Sequence, residues 1–509
     1  MLAEFGRMKR NSLQIHWRFV KNAIANLGRG SAAAVVAVLL PPVLVRHMAP
    51  AAYAVWILVL QTAAYVNYLN FGLETAIGRY VAYSTEKKDL QQRNSVFSTA
   101  FFGLCCAAVL ALLCLAGVSL AVPELFPAVP ASLIPQMRLS LLIIGFSMAI
   151  GLPASAWNGV FVGIARYEIP GLTVGGARLL SAVGVILAVF AGRSLVVLAA
   201  IITSANLLSY LAQYLTLRRI VPDLRFRSSL VKRSTAGELY GYCVGLTVMS
   251  FGMLLVTGFD LLLVGHFDFA AVTPYSISAS IITLIIGLLY AVINVIMPHA
   301  ASLHARKRAD ELGKLLISSA RLTMLLVILT GIPILIYAGP IMRLWIGQRF
   351  VAGGAPLLAL LIIANIIRTI GAPYSIVLIA VGDQNYIKIA PIVEGVSNFG
   401  ISIVLGHFFG AIGVAMGTFF GAIVGASALL FYAMPRTKPS IEFSRREFLL
   451  SGVLSPILWT SPLLAIAAAS SCGIVIQPPV IALGAMLSLG GAAFLLNRTQ
   501  GIFKRFRPV

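Results

Sequence analysis

The chain has 509 residues, 59% of them hydrophobic and only 11% charged, with a mean hydropathy of +0.95 and a formal net charge of +22. A soluble protein of this length carries about 25% charged residues, so a soluble globular class is excluded. With no basic soluble module in the chain, no nucleic-acid partner is expected either.

Apolar runs long enough to cross a hydrocarbon core, about 20 residues each, recur from end to end. They predict an all-α polytopic membrane protein with spans near 22–45, 52–73, 96–121, 138–163, 171–192, 194–217, 239–265, 273–297, 315–338, 354–381, 386–409, 411–433, 448–471 and 478–496. The N-terminal stretch MLAEFGRMKRNSLQIHWRFVK is basic and mixed, and the first apolar run continues at full spanning length, which argues against a cleavable signal peptide. Cys105, Cys106, Cys114, Cys243 and Cys472 all fall inside apolar runs without metal or CxxC spacing, and read as small core hydrophobes.

Lysine and arginine in the connecting segments set the orientation. With a cytoplasmic N-terminus, 29 of them fall inside, from Arg7 to Arg507, whereas the outer segments hold only Arg46, Arg193, Arg343 and Arg349. One helix missed or invented would scramble that bias, so fourteen spans with both termini in the cytoplasm are expected. The charge then faces anionic headgroups on the inner leaflet.

The chain also repeats itself. LVRHMAPAAY at 44–53 resembles LVGHFDFAAVTPY at 263–275, and IGLPAS at 150–155 resembles IGAPYS at 370–375, at offsets of 219 and 220. Gly163 and Tyr167 recur as Gly382 and Tyr386. Each copy holds an even number of spans, six, so the two lobes should be parallel, related by an axis along the membrane normal. The expected domains are a first six-helix lobe at 1–233, a second at 234–435, and an extra helix pair with a basic tail at 436–509. The basic stretch 218–238 links the lobes.

Four stretches, in order, carry a family resemblance: PAAYAVWILVLQTAAYVNYLNFGLETAIGRYVA at 50–82, YAVINVIMPHAASLHA at 290–305, PIMRLWIGQRFV at 340–351 and GAIGVAMGTFFGAI at 410–423. With two six-helix lobes plus an extra pair, the chain resembles the multidrug/oligosaccharidyl-lipid/polysaccharide exporter superfamily, and within it the polysaccharide-transporter (Wzx-like flippase) branch. Ala54 departs from the pattern, standing where a glycine follows the tyrosine. The resemblance implies a MATE-like fold in the bacterial inner membrane. It also implies a flippase that carries undecaprenyl-pyrophosphate-linked oligosaccharide outward by alternating access, for O-antigen, capsule or exopolysaccharide assembly. Its partners would be the polyprenyl-linked oligosaccharide, membrane lipids, and a polysaccharide polymerase and chain-length regulator.

Five arginines fall within the spans: Arg29, Arg138, Arg178, Arg321 and Arg368. A charge at the bilayer centre costs about 2.5–3.5 kcal/mol or more, so such residues ordinarily face a cavity or a partner. A pyrophosphate suits the planar guanidinium fork. Arg138 sits at a helix mouth and reads as interfacial. Arg29, Arg178 and Arg321 are shallow enough to snorkel, leaving cavity and interface readings open. Arg368 lies deepest and is the leading candidate for a substrate ligand. Among the acids, Glu394 suits either an ion pair or ion coupling. Asp260 is a second coupling candidate, although its place near a span end, like that of Glu74, favours an interfacial carboxylate. Pro153 and Pro373 are repeat equivalents and suggest a paired hinge. Gly413, Gly417, Gly421 and Gly425 line one helix face as a close-packing seam.

There is no phosphate loop, HExxH, GxSxG or sugar-nucleotide DxD site, and the histidines are scattered. No catalysis, cofactor or metal is expected. Two alternatives stay open: a drug or small-cation exporter of the same superfamily, and a membrane-embedded glycan polymerase or ligase. The latter would need a large outer loop, whereas 122–136 is short and carries only Glu124.

Overall fold

The computed structural model describes residues 36–383, 387–437, 441–471 and 477–504, and the described elements are all helical. In chain order these are α1 (Val36–His47), α2 (Pro50–Glu86), α3 (Leu90–Leu120), α4 (Ile134–Gly163), α5 (Glu168–Phe190), α6 (Leu195–Ile220) and α7 (Arg233–Phe267). They continue with α8 (Phe269–Ala305), α9 (Ala309–Ile336) and α10 (Gln348–Val381). The next apolar run, Ile389–Arg436, is continuous in hydrogen bonding but folds back at Gly410, with φ 57° and ψ −135°, giving α11 (389–409) and α12 (411–436). An L-residue strongly resists that backbone conformation. Asp268 helps hold the turn, its Oδ2 accepting the Ala411 amide at 3.4 Å. Helix α13 is a pair, Arg445–Trp459 and Ser461–Ser470, bent by 61°, and α14 is Pro478–Leu495. With the fold-back and the bent pair counted, α2 to α14 among the described residues fall on the last thirteen expected spans, whereas the first, 22–45, is described only from Val36 onward.

In a bilayer, lipid tails are as apolar as leucine, so helices associate by close packing rather than by escaping water. Small residues let backbones approach. The glycine stripe of α12 lies against α11: a Cβ added at Gly421 would sit 2.8 Å from Asn398 Cβ, and one at Gly425 2.7 Å from Glu394 Cβ. The second half of α2 meets α4 in the same way, with a Cβ at Gly159 lying 2.6 Å from the Glu74 carbonyl and one at Gly163 2.8 Å from the Gly78 carbonyl.

Several helices are interrupted. In α2 the chain passes through a 3-10 turn, Tyr65–Asn70, and then two left-handed residues, Phe71 (φ 50°) and Gly72 (φ 74°). Its repeat counterpart α8 breaks between Ile293 and Ile296. Helix α7 contains a π-helical turn, Leu254–Gly258. Helix α10 breaks at Ile370–Gly371, and Pro373 occupies the first turn beyond the break. Its repeat partner Pro153 lies inside the continuous helix α4, so the paired prolines mark a break in one repeat only.

The contacts divide the chain into two compact units, 1–250 and 251–509. The division falls inside α7, seventeen residues beyond the linker boundary expected at 233, because the first half of α7 packs on the α2 break. There Thr247 Oγ1 donates to the Phe71 carbonyl at 3.1 Å, and a Cβ on Gly72 would meet Leu246 Cβ at 2.9 Å. In the second unit the extra pair α13–α14 packs against α9 and joins its core: Leu315, Leu316, Tyr374, Val377, Leu378 and Phe448 are fully buried in one cluster.

Candidate functional site

The second unit holds a buried polar cluster built where helices are interrupted. A π-helical turn frees backbone carbonyls from the regular ladder, and such turns recur at functional sites. In α7 those carbonyls are recovered from α11: Asn398 Nδ2 donates to Val256 O at 2.7 Å. The regular helix then restarts at Asp260, whose carboxylate sits in a first turn, where the helix dipole favours negative charge.

Asp260, near a span end by sequence, is only 7% exposed and enclosed among helices. Its Oδ1 accepts from Asn398 Nδ2 at 3.1 Å, and its Oδ2 from Thr418 Oγ1 at 3.0 Å and Tyr275 Oη at 3.2 Å. Four helices, α7, α8, α11 and α12, thus converge on one carboxylate. Ser402 Oγ extends the network, lying 3.0 Å from Asn398 Oδ1 and 3.1 Å from Val414 O. A charged acceptor makes these hydrogen bonds roughly twice as strong as neutral ones.

The second half of the cluster surrounds Arg368, in the last turn of α10 before its break, where the exposed carbonyl end of a half-helix favours a cation. Arg368 Nε donates to Glu394 Oε1 at 2.5 Å, and Nη1 to Asn365 Oδ1 at 3.2 Å. Nη2 is buried and makes no hydrogen bond among the described residues. The two charged side chains are 19% and 11% exposed. Glu394, Asn398 and Ser402 stand one turn apart on α11 and connect the two halves. Asp260 and Tyr290 both lie within coulombic range of Arg368.

With every member ionised, the cluster holds two carboxylates and one guanidinium. A net negative charge at membrane depth is costly, and a proton or an alkali cation would cancel it. The cluster can therefore do two things: offer a guanidinium donor to an anion, and take up one positive charge.

The other arginines lie elsewhere. Arg321 Nε donates to Ser451 O at 3.0 Å, recovering a carbonyl in the π-helical turn Phe448–Leu454 of α13, so it serves helix packing beside α9 rather than joining Arg368. Arg178 is exposed on α5 in the first unit and engaged in an interaction there. Arg138 Nη2 donates to Leu120 O at 2.8 Å, tying the start of α4 to the end of α3. Arg29 lies outside the described residues. No group of three or more potential metal ligands occurs among the described residues.

Tyr275, Asn365, Asn398 and Thr418 are neutral and do not stand out singly in the sequence. A signal existed: Glu394, Asn398 and Ser402 recur every four residues in an otherwise apolar span, marking one polar face. The repeat is no guide here. At an offset of 219, Asp260, Arg368 and Glu394 correspond to Pro41, Ala149 and Gly175, so these charges are confined to one repeat.

No family model matches the sequence, and no curated protein does. Solved structures do match. The inward-closed lipid II flippase MurJ aligns over 96% of this chain and 100% of its own length, at 13% identity and a TM-score of 0.71. An inward-facing multidrug-resistance MATE transporter of the MOP superfamily aligns over 80% of this chain and 93% of its own, at 15% identity and a TM-score of 0.61. A MOP superfamily transporter from Pyrococcus furiosus, with a binding pocket described as reversed in polarity, covers 82% and 95% at 14% identity and a TM-score of 0.57. The chain has the MurJ/MATE-like polytopic membrane fold.

Proposed function

We propose that this protein is a flippase that moves an undecaprenyl-pyrophosphate-linked oligosaccharide across the bacterial inner membrane by alternating access, with both termini cytoplasmic. The observation that carries the reading is Arg368: a partly buried guanidinium with one edge held by Glu394 and Asn365 and its buried Nη2 uncommitted. A pyrophosphate can take that donor, and Glu394 is the group it must compete with. The fold shared with a lipid II flippase supports the lipid-linked class of substrate. The loop charge bias supports the orientation.

Asp260 is the proposed coupling group. Binding a proton or an alkali cation there would remove the excess negative charge. Its four-helix setting gives that neutralisation leverage over α7 and α12 at once. Arg178, and Arg29 in the N-terminal segment, remain candidates for guiding the anionic headgroup, and Pro373 with its adjoining break is the candidate hinge. A polysaccharide polymerase and a chain-length regulator would receive the product.

Deletion of the gene tests the reading. Undecaprenyl-linked repeat units should accumulate on the cytoplasmic leaflet, and one surface polysaccharide should disappear. A deletion strain that keeps its polysaccharides but becomes sensitive to cationic drugs would replace the flippase by a MATE-type exporter.

A further inference from the structure

In the first unit, part of the basic stretch 218–238 is pinned along the start of α3 as a strap. The polar row Asn94, Ser95, Ser98 and Thr99, on one face of α3, holds its main chain. Asn94 Nδ2 donates to the Asp223 carbonyl at 3.2 Å and Ser95 Oγ to the Leu230 carbonyl at 3.0 Å. Ser98 Oγ accepts the Arg227 amide at 3.2 Å, and Thr99 Oγ1 the Lys232 amide at 3.4 Å. Val221 and Leu224 are buried, and the Phe226 ring centre lies 5.4 Å from that of Phe101 on α3.

The strap leaves its charge outward. Residues 218–238 hold six cations, Arg218, Arg219, Arg225, Arg227, Lys232 and Arg233, against Asp223 and Glu238. All six are exposed, and none makes an ion pair among the described residues. Arg225 and Arg227 flank Phe226, whose ring turns to α3, and the chain is extended at Arg227, with φ −137° and ψ 123°. Alternation along an extended chain sends both guanidiniums the other way. Because Ser98 and Thr99 are neighbours, the main chains of Arg227 and Lys232 are brought together although five residues apart. The N-terminus of α7, at Arg233, adds dipole charge of the same sign. Beside the strap contact Asn94, Arg93 is 7% exposed, and its Nε and Nη2 are buried without a hydrogen bond among the described residues.

Like charges held this close repel, and a polyvalent anion would relieve them. The strap runs from the end of one span, α6, to the start of the next, α7, which sets it at headgroup level. Basic pockets at the ends of spans suit anionic lipid headgroups, and the guanidinium fork suits phosphate oxygens. Two cation groups, Arg225 with Arg227 and Lys232 with Arg233, match two phosphates on one headgroup better than a single phosphodiester.

We propose that the strap is a binding site for a phospholipid with two phosphates in one headgroup, of the cardiolipin class, which pins the strap against α3 in the first unit. The site is independent of what the protein transports.

The test uses the purified full-length chain in neutral detergent, with lipid binding read by native mass spectrometry. The wild type should bind cardiolipin more tightly than phosphatidylglycerol. Arg225→Gln/Arg227→Gln/Lys232→Gln should lose about tenfold or more of the cardiolipin affinity. Its lipid-free unfolding midpoint should stay at the wild-type value, since the three side chains are exposed and the strap is held through its main chain. Arg306→Gln/Arg445→Gln/Arg446→Gln, which removes as much exposed charge outside the strap, should keep the affinity. Farnesyl pyrophosphate should not displace the lipid. Equal losses in the two triple variants, a wild type that binds no cardiolipin or binds phosphatidylglycerol as tightly, or displacement by farnesyl pyrophosphate would each overturn the site.

Discussion

Replacing Arg368 by alanine removes a guanidinium that spans Glu394 and Asn365 and leaves the Glu394 carboxylate, 11% exposed, without its partner. Breaking a buried ion pair from one side typically costs about 3–5 kcal/mol, because the stranded charge keeps its desolvation penalty. The side chains retain some exposure, so a loss of about 3 kcal/mol, the low end of that range, is expected for Arg368→Ala. Glu394→Ala should cost a similar amount. The double variant Arg368→Met/Glu394→Met strands no charge and fills the volume, and such replacements are often neutral. It should therefore lie within about 1 kcal/mol of the wild type, and with the matching single variants Arg368→Met and Glu394→Met, each expected to lose about 3 kcal/mol by the same stranding of a charge, the double-mutant cycle gives a coupling energy of about 5 kcal/mol. Equilibrium unfolding of the purified protein in mixed micelles reads all four corners. Additive single losses would refute the claim that these residues act as one buried pair. The restored double variant should still be inactive in transport, which separates the pair's packing role from its proposed role in substrate binding.

Other expectations follow from the same geometry. Gly421→Ala, which drives a Cβ into Asn398, should cost about 1–3 kcal/mol through overpacking. Gly400→Ala on α11, where a Cβ meets nothing within 4 Å, should be neutral or stabilising by up to about 1 kcal/mol; equal effects in thermal unfolding would contradict the seam. Asp260→Asn preserves size but cannot change charge, so transport should lose its dependence on an imposed proton or sodium gradient while folding is retained. Unchanged gradient dependence would remove Asp260 from the coupling role. Alkaline phosphatase fused after Pro435 should be inactive and after Gln477 active, and the reverse pattern would invert the orientation.

How much could be read beforehand differs between kinds of feature. The spans were legible because hydrophobicity is a property of consecutive residues, and the separation at Gly410 because glycine in a short gap between apolar runs marks a turn. The seam of Gly413, Gly417, Gly421 and Gly425 was legible from its helical period. The polar cluster was not. Tyr275, Asn398 and Thr418 lie 15, 138 and 158 residues from Asp260 in the chain, and each alone is an unremarkable polar residue in an apolar run. Depth counting also could not reveal the setting of Asp260, since it measures distance along the helix but not which helices surround it. Nor does sequence period reveal a π-helical turn, which keeps a helical pattern while releasing carbonyls. Arg321 shows the converse: its depth resembles that of a cavity residue, yet a carbonyl of α13 accounts for it.

The central claim is tested most directly by following lipid translocation itself, with the protein reconstituted into vesicles that carry a fluorescent undecaprenyl-pyrophosphate-linked oligosaccharide in the inner leaflet and are probed by an outer-leaflet quencher. Wild-type protein should bring the label to the quencher, and Arg368→Lys, which keeps the charge but loses the fork, should do so far more slowly. Label that stays protected with wild-type protein, in vesicles where the same preparation moves a cationic drug, would contradict the account.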